Sequence, residues 1–144
     1  MNLKLKEGAD NILFGSSINF VEKNIGKPDK IYEDEEENKK YQYNKQKLTL
    51  TFYKEAGFRL AYIQTSNEEI EILESKIIGK DIDTVLDFFE SKGIEDFKYE
   101  DYDSFETYTN EDNWLVLNVE YGIVDEVEIG VIINDDDEYE WKTN

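Results

Sequence analysis

The sequence contains no cysteine and no histidine. Without cysteine there is no disulfide, zinc–thiolate site, iron–sulfur cluster or thiol nucleophile. Without histidine the commonest general base and metal ligand is missing, and with it every Ser-His-Asp or Cys-His arrangement. Arginine occurs once, at Arg59, which excludes a multi-arginine phosphate clamp. Proline also occurs once, and no Pro-rich or Gly/Ser-rich linker divides the chain. Gly15-Ser16-Ser17 lacks the following Gly-Lys-Ser/Thr of a phosphate loop, and there is no dinucleotide fingerprint, so no cofactor is expected. No window approaches the ~20 apolar residues of a membrane span. The opening stretch Met1-Asn2-Leu3-Lys4-Leu5-Lys6-Glu7 lacks the apolar core of a signal peptide. The expectation is a cytoplasmic protein in a reducing compartment.

Negative charge is what the chain has in excess. Sixteen basic residues stand against 35 acidic ones, a formal net charge of −19 over 144 residues. The imbalance is uneven: residues 1–72 carry 11 Lys/Arg and 13 Asp/Glu, and residues 73–144 carry 5 and 22. Nucleic acid and anionic membrane would be repelled by such a surface, whereas a basic protein would be attracted.

The chain also reads as two copies of one unit. Leu13-Phe14-Gly15-Ser16-Ser17-Ile18 and Val21 align with Ile77-Ile78-Gly79-Lys80-Asp81-Ile82 and Val85. Further on, Gly26 falls on Gly93, Tyr32 on Tyr99, Tyr41 on Tyr108, and Leu48–Phe52 on Leu115–Val119. Gly57 then falls on Gly122, and Ala61 and Ile63 on Val127 and Ile129. The repeats run over about 13–66 and 77–133 within a single domain, 1–144. Repeated units of this kind build one continuous sheet or a stacked pair.

Each copy opens with an amphipathic helix. Ser17 caps a helix bearing Ile18, Val21 and Ile25 that Gly26 ends; Asp81 caps one bearing Ile82, Val85, Leu86 and Phe89 that Gly93 ends. Four strand-like stretches follow each. In the first copy they lie near Lys30–Asp34, Lys39–Tyr43, Lys47–Tyr53 and Phe58–Thr65. In the second they lie near Phe97–Tyr102, Phe105–Thr109, Trp114–Glu120 and Val124–Ile133. The alternation turns Leu48, Leu50 and Phe52 to one side, and Leu115, Leu117 and Val119 likewise, leaving the other face for water. Glu68–Lys76 alternates as a strand would, through Ile70, Ile72 and Leu73. The runs at 33–37 and 135–138 are too charged to bury and are placed in a loop and near a mobile C-terminal tail. The fold class is α+β: two tandem copies of a short helix followed by a four-stranded antiparallel sheet, packed as one domain.

Ten Tyr, eight Phe and two Trp accompany the acids, and Tyr and Trp are the residues most enriched at binding hot spots. If Val127, Ile129 and Val131 point inward, Glu126 and Glu128 share the solvent face with Glu120 and Trp114, with Tyr102 and Asp103 nearby. These six are the candidate partner-binding residues, Trp114 as anchor and the acids as steering and pairing groups. No catalytic residue is assigned, since among 35 acids spacing singles out no carboxylate pair for glycosidase-type chemistry. No metal ligand is assigned either: neither 135–138 nor 100–103 has the alternating acids and central glycine of an EF-hand.

The repeated helix-plus-four-strands unit resembles the architecture of beta-lactamase inhibitory proteins and of related small outer-membrane assembly lipoprotein modules. The chain departs from both in having no cysteine for disulfides or lipid attachment. Its size, acidity and lack of catalytic groups are similar to those of bacterial immunity proteins. That resemblance implies a cytoplasmic, non-enzymatic inhibitor that neutralises a basic, nuclease-like toxin by charge imitation and electrostatic steering. The alternatives are a small-ligand or adaptor module using the seam between the repeats, and an acidic cation-binding protein.

Overall fold

The computed structural model describes residues 1–10 and 12–143. Two helices and two sheets form an α+β structure. Strands β1 (Asn2–Lys4), β2 (Gly8–Ala9) and β3 (Ile12–Leu13) precede helix α1 (Ile18–Ile25). Then come β4 (Lys30–Glu33), β5 (Lys39–Tyr43), β6 (Leu48–Tyr53) and β7 (Arg59–Thr65). A short hairpin, β8 (Glu71–Ile72) and β9 (Ser75–Lys76), leads to helix α2 (Ile82–Ser91). The last strands are β10 (Lys98–Asp101), β11 (Glu106–Asn110), β12 (Leu115–Glu120) and β13 (Ile123–Gly130).

Local chemistry explains the helix limits. Ser17 Oγ accepts from the Phe20 N–H at 3.1 Å, and the Asp81 carboxylate accepts from Asp83 and Thr84 at 3.0 and 3.3 Å, each filling orphan donors of a first turn. The α1 chain ends at Gly26, at φ 87°, whose N–H returns to the Glu22 carbonyl.

The eight long strands form one antiparallel sheet in the order β10-β11-β12-β13-β7-β6-β5-β4. Its centre is the β13–β7 pair, which joins Val127 to Thr65 and Ile129 to Ile63. That seam is therefore a hydrogen-bonded ladder, and of the two arrangements open to repeated units, one continuous sheet or a stacked pair, the chain adopts the continuous sheet. Two bulges bend the sheet, one between Thr51 and Phe52 against β7 and one between Asn118 and Val119 against β13. The inner face buries Tyr43, Leu48, Leu50, Ile63, Leu115, Leu117, Val127 and Ile129 against Val21 of α1 and Val85 and Phe89 of α2. Tyr41 and Tyr43 reach α1 with their hydroxyls, to Glu22 at 3.1 Å and the Gly26 carbonyl at 2.9 Å.

The first residues carry structure that no expectation covered, and two expectations are corrected. β1 pairs parallel with β8, and a second sheet, β3-β2-β1-β8-β9, holds Leu3, Ile12 and Ile72 in buried positions. Leu73 is not an inward strand residue but sits at the β8–β9 turn, exposed and at φ 53°. The C-terminal segment is docked instead of free. Trp141 lies between Tyr139, 4.7 Å away, and the Arg59 guanidinium, 4.5 Å away, while Lys142 N–H donates to the Phe14 carbonyl at 3.0 Å. Aromatic burial and the lone arginine outweigh the repulsion of the nearby acids. No helix among the described residues is long and apolar enough to cross a membrane.

Candidate functional site

The face of the eight-stranded sheet turned away from the helices carries most of the polar side chains of the strands. Register places Lys40, Thr51, Tyr62, Gln64, Glu128, Glu126, Asn118 and Thr107 on this outer face. Lys40 Nζ donates to Thr51 Oγ1 at 3.1 Å. Across the seam, the Tyr62 hydroxyl donates to Glu128 Oε1 at 2.5 Å, and Asn118 Nδ2 donates to the other Glu128 oxygen at 2.6 Å. The same amide lies 3.4 Å from Glu126 Oε1, so one donor group serves two carboxylates.

This arrangement leaves the acids short of positive charge. Burial, then the charges of Glu128 and Asp125, push the Glu126 carboxyl up to about 6, against the smaller opposing pull of Lys40. Burial and the adjacent Glu120 raise Asp125 in the same way. Burial and Glu128 raise the Tyr62 hydroxyl far above its ordinary range, which keeps it a donor. Among the described residues two ion pairs form, Lys54 with Glu37 and Lys76 with Glu69. None involves an acid beyond residue 76.

The structure divides the six sequence-predicted residues. Glu126 and Glu128 occupy the middle of the outer face. Glu120 lies at one end, where it lines a depression of about 300 Å³ with Phe105, Asn118, Asp125 and Glu126. Tyr102 stacks on Phe105 at 5.1 Å beside this end, and Asp103, at φ 68°, belongs to the same loop. Trp114 lies at the opposite end of β12, six residues from Glu120 and so about 20 Å away at the rise of a strand. There the indole covers Gly130, 41% exposed, next to Tyr53, Ile132 and Ile133. Trp114 and the Tyr102–Asp103 loop are therefore separate features.

Sequence reading missed Tyr62, Asn118, Phe105 and Asp125. Tyr62 and Asn118 were legible as outward strand positions, but nothing local told that the seam would bring them onto Glu128. It also missed a groove of about 630 Å³ on the first half of the outer face. Lys40, Thr51, Tyr62, Tyr53, Tyr139 and Ile133 line it, with Asp34, Glu36 and Glu55 at its rim. Among the described residues no group of three or more carboxylates is arranged to hold a metal ion.

No protein-family model matches the chain, and no curated protein matches it. Solved structures do share its fold. An extracellular protein containing an SCP domain, from Bacillus anthracis, aligns with a TM-score of 0.57 at 10% identity, over 82% of this chain and 44% of that one. A cysteine-rich secretory protein from Staphylococcus aureus aligns with a TM-score of 0.51 at 15% identity, over 90% and 49%. A DUF4309 family protein from Bacillus subtilis aligns with a TM-score of 0.55 at 13% identity, over 88% of both chains. The chain thus spans less than half the length of the first two. At these identities the likeness shows the fold alone.

Proposed function

We propose that this chain is a non-enzymatic, cytoplasmic protein-binding inhibitor of the immunity type, which holds a basic, toxin-like partner against the outer face of its second half. The observation that carries this reading is the set of Glu120, Asp125, Glu126 and Glu128, gathered on one sheet face with no Lys or Arg paired to any of them. Such a surface disfavours its own charge, as the raised Asp125 and Glu126 indicate, and a partner's cations relieve it. The test is a tagged pull-down from the native cell at low and moderate salt, followed by an activity assay on the purified protein recovered. A single basic protein, retained stoichiometrically, released by salt and inhibited by this chain, supports the reading. A recovered protein whose activity the chain leaves unchanged refutes inhibition.

The duplication belongs to the same proposal, and corresponding contacts support it. Gly15 N–H donates to the Leu60 carbonyl and Leu60 N–H to Ser16, both at 2.9 Å; Gly79 donates to Val124 at 2.7 Å and Val124 to Lys80 at 2.9 Å. Ser17 bridges Arg59 as Asp81 bridges Ile123. The bulges fall at equivalent places, which sets Ala61 on Asp125 and shifts the last-strand alignment by two residues from the sequence register. Two units fused edge to edge give a broad face, and the charge has accumulated on one of them.

A second reading is favoured by the tyrosine-lined groove of about 630 Å³: a small-ligand module, with the ligand on the outer face of the first half. It predicts binding that responds to Tyr62 and Tyr139 and little to salt.

A further inference from the structure

The end of the sheet formed by the β10–β11 loop and the β12–β13 hairpin carries a patch that charge alone does not explain. Tyr102 and Phe105 stack with their planes 13° apart. Glu120 pairs with Ile123 across the hairpin, so both share this end of the outer face with Phe105. Tyr102, Phe105, Ile123 and the hairpin-tip Tyr121 are all exposed.

Tyr121 is the most unusual of them. The hairpin closes with the two-residue turn Tyr121–Gly122, at φ 51° and 76°, the geometry of a type I′ turn. Asn or Gly suits the first place; a tyrosine Cβ crowds the backbone there. Its accessibility, 101%, means that no packing within the chain offsets that cost. The turn is nonetheless held firmly from α2, whose Ile82 N–H donates to the Gly122 carbonyl at 2.9 Å. A large ring, fully exposed on a disfavoured backbone and a well-tethered turn, is an outlier of the kind that marks a functional contact.

We propose that Tyr102, Phe105, Tyr121 and Ile123 form the apolar anchor of a protein interface, and that its occupant is a basic segment in which Lys or Arg alternates with apolar side chains. This inference rests on the basic-partner reading above and locates its contact. Charge complementarity selects the occupant. Glu100, Asp103, Glu120, Asp125 and Glu126 surround the patch, none of them in an ion pair. An anionic lipid surface or a nucleic acid would meet that rim with like charge. Exposed ion pairs contribute little by themselves, so affinity has to come from the rings, which take the partner's apolar groups and the aliphatic stems of its cations.

The experiment uses the full ¹⁵N-labelled chain at about 0.1 M salt, where the screening length is about 10 Å. It is titrated with two synthetic peptides of equal charge, one alternating Arg and Leu, the other Arg and Gly. Amide shifts are expected to concentrate in residues 100–106 and 118–126, with the Arg-Leu peptide bound about five-fold tighter, the ratio for one well-buried contact. Tyr121→Asn suits the turn; it should remove most of that advantage, weakening Arg-Leu binding more than Arg-Gly binding, which loses only the contact of the ring with arginine stems. Equal affinities for the two peptides, shifts centred on Trp114 or the C-terminal segment, or an unaltered Tyr121→Asn would overturn the anchor and leave a basic partner standing. No shifts with either peptide would overturn both.

Discussion

The Trp114 indole lies so close over Gly130 that a Cβ added there would fall 2.1 Å from Trp114 Cδ1 and 2.9 Å from Tyr62 Cδ1. The missing side chain at 130 is what lets both rings settle onto the sheet. Gly130→Ala should expel the indole and cost about 1–3 kcal/mol, the usual scale of overpacking. Urea denaturation and Trp114 emission in a Trp141→Phe background measure it; unchanged stability and emission would contradict the packing.

Glu126 should make the protein less stable as pH rises through the acid range. Its carboxyl titrates at about 6 in the folded chain, against 4.5 unperturbed, so between these values the folded state keeps a proton that the unfolded state has released. Stability from this site is complete below about pH 4.5 and is lost as pH rises through about 6. Glu126→Gln should therefore stabilise at pH 7 by about 1 kcal/mol, after allowance for partial exposure, and by nothing at pH 4. Asp125, raised for similar reasons, leaves a residual slope of the same sign. A constant difference between the two proteins across this range would refute the assignment.

Asn118 is the shared donor between Glu126 and Glu128, at 3.4 and 2.6 Å. Asn118→Ala removes it and leaves two neighbouring carboxylates with less to hold them. The loss should be about 1.5–3 kcal/mol at pH 7, the range for hydrogen bonds to charged groups, and smaller at pH 4, where Glu126 is protonated. Thermal melts at the two pH values would show this, and equal losses would exclude the carboxylates as the cause.

For association kinetics the structure distinguishes among the acids. Glu128 is tied to Tyr62 and Asn118, so reversing it to Lys would damage the sheet as well as the charge. Glu120 is exposed, and Glu120→Lys should slow association with a basic partner and flatten its salt dependence while the melting temperature holds. Stopped-flow rates at several salt concentrations test it; an unaltered rate would remove this end of the face from the interface.

Trp141 fastens the C-terminal segment through Arg59 and Tyr139. Trp141→Ala should lower stability by about 1–3 kcal/mol, the scale of an aromatic pair plus partly buried area. It should also expose the Lys142 amide, bonded to the Phe14 carbonyl, to rapid hydrogen exchange. Continued protection would mean that the segment is held by something else.

Much of the fold was legible because its signals are local. A Ser17 or Asp81 side chain caps its own first turn, and the alternation in Leu48–Tyr53 or Leu115–Glu120 declares an inner and an outer side within six residues. The small sheet was not legible. Its strands span two or three residues, too few to show a period, and β1 finds β8 some seventy positions away. Trp114 was read as a neighbour of Glu120 because both flank one strand, but the strand's own length separates them.

The sequence by itself determined the charge imbalance, the absence of cysteine and histidine chemistry, and the ends of the helices, because composition and capping need no partner from afar. Tertiary structure decided which groups are neighbours. It fused the strands of both halves through β7 and β13, and so set Tyr62 on Glu128. The bulge between Asn118 and Val119 keeps Val124 inward and Glu126 outward with Asp125 between them, adding a third acid beside Glu120 and Glu126. Pairing across a sheet depends on register summed over several strands, and a single slip would send each of these side chains to the other face.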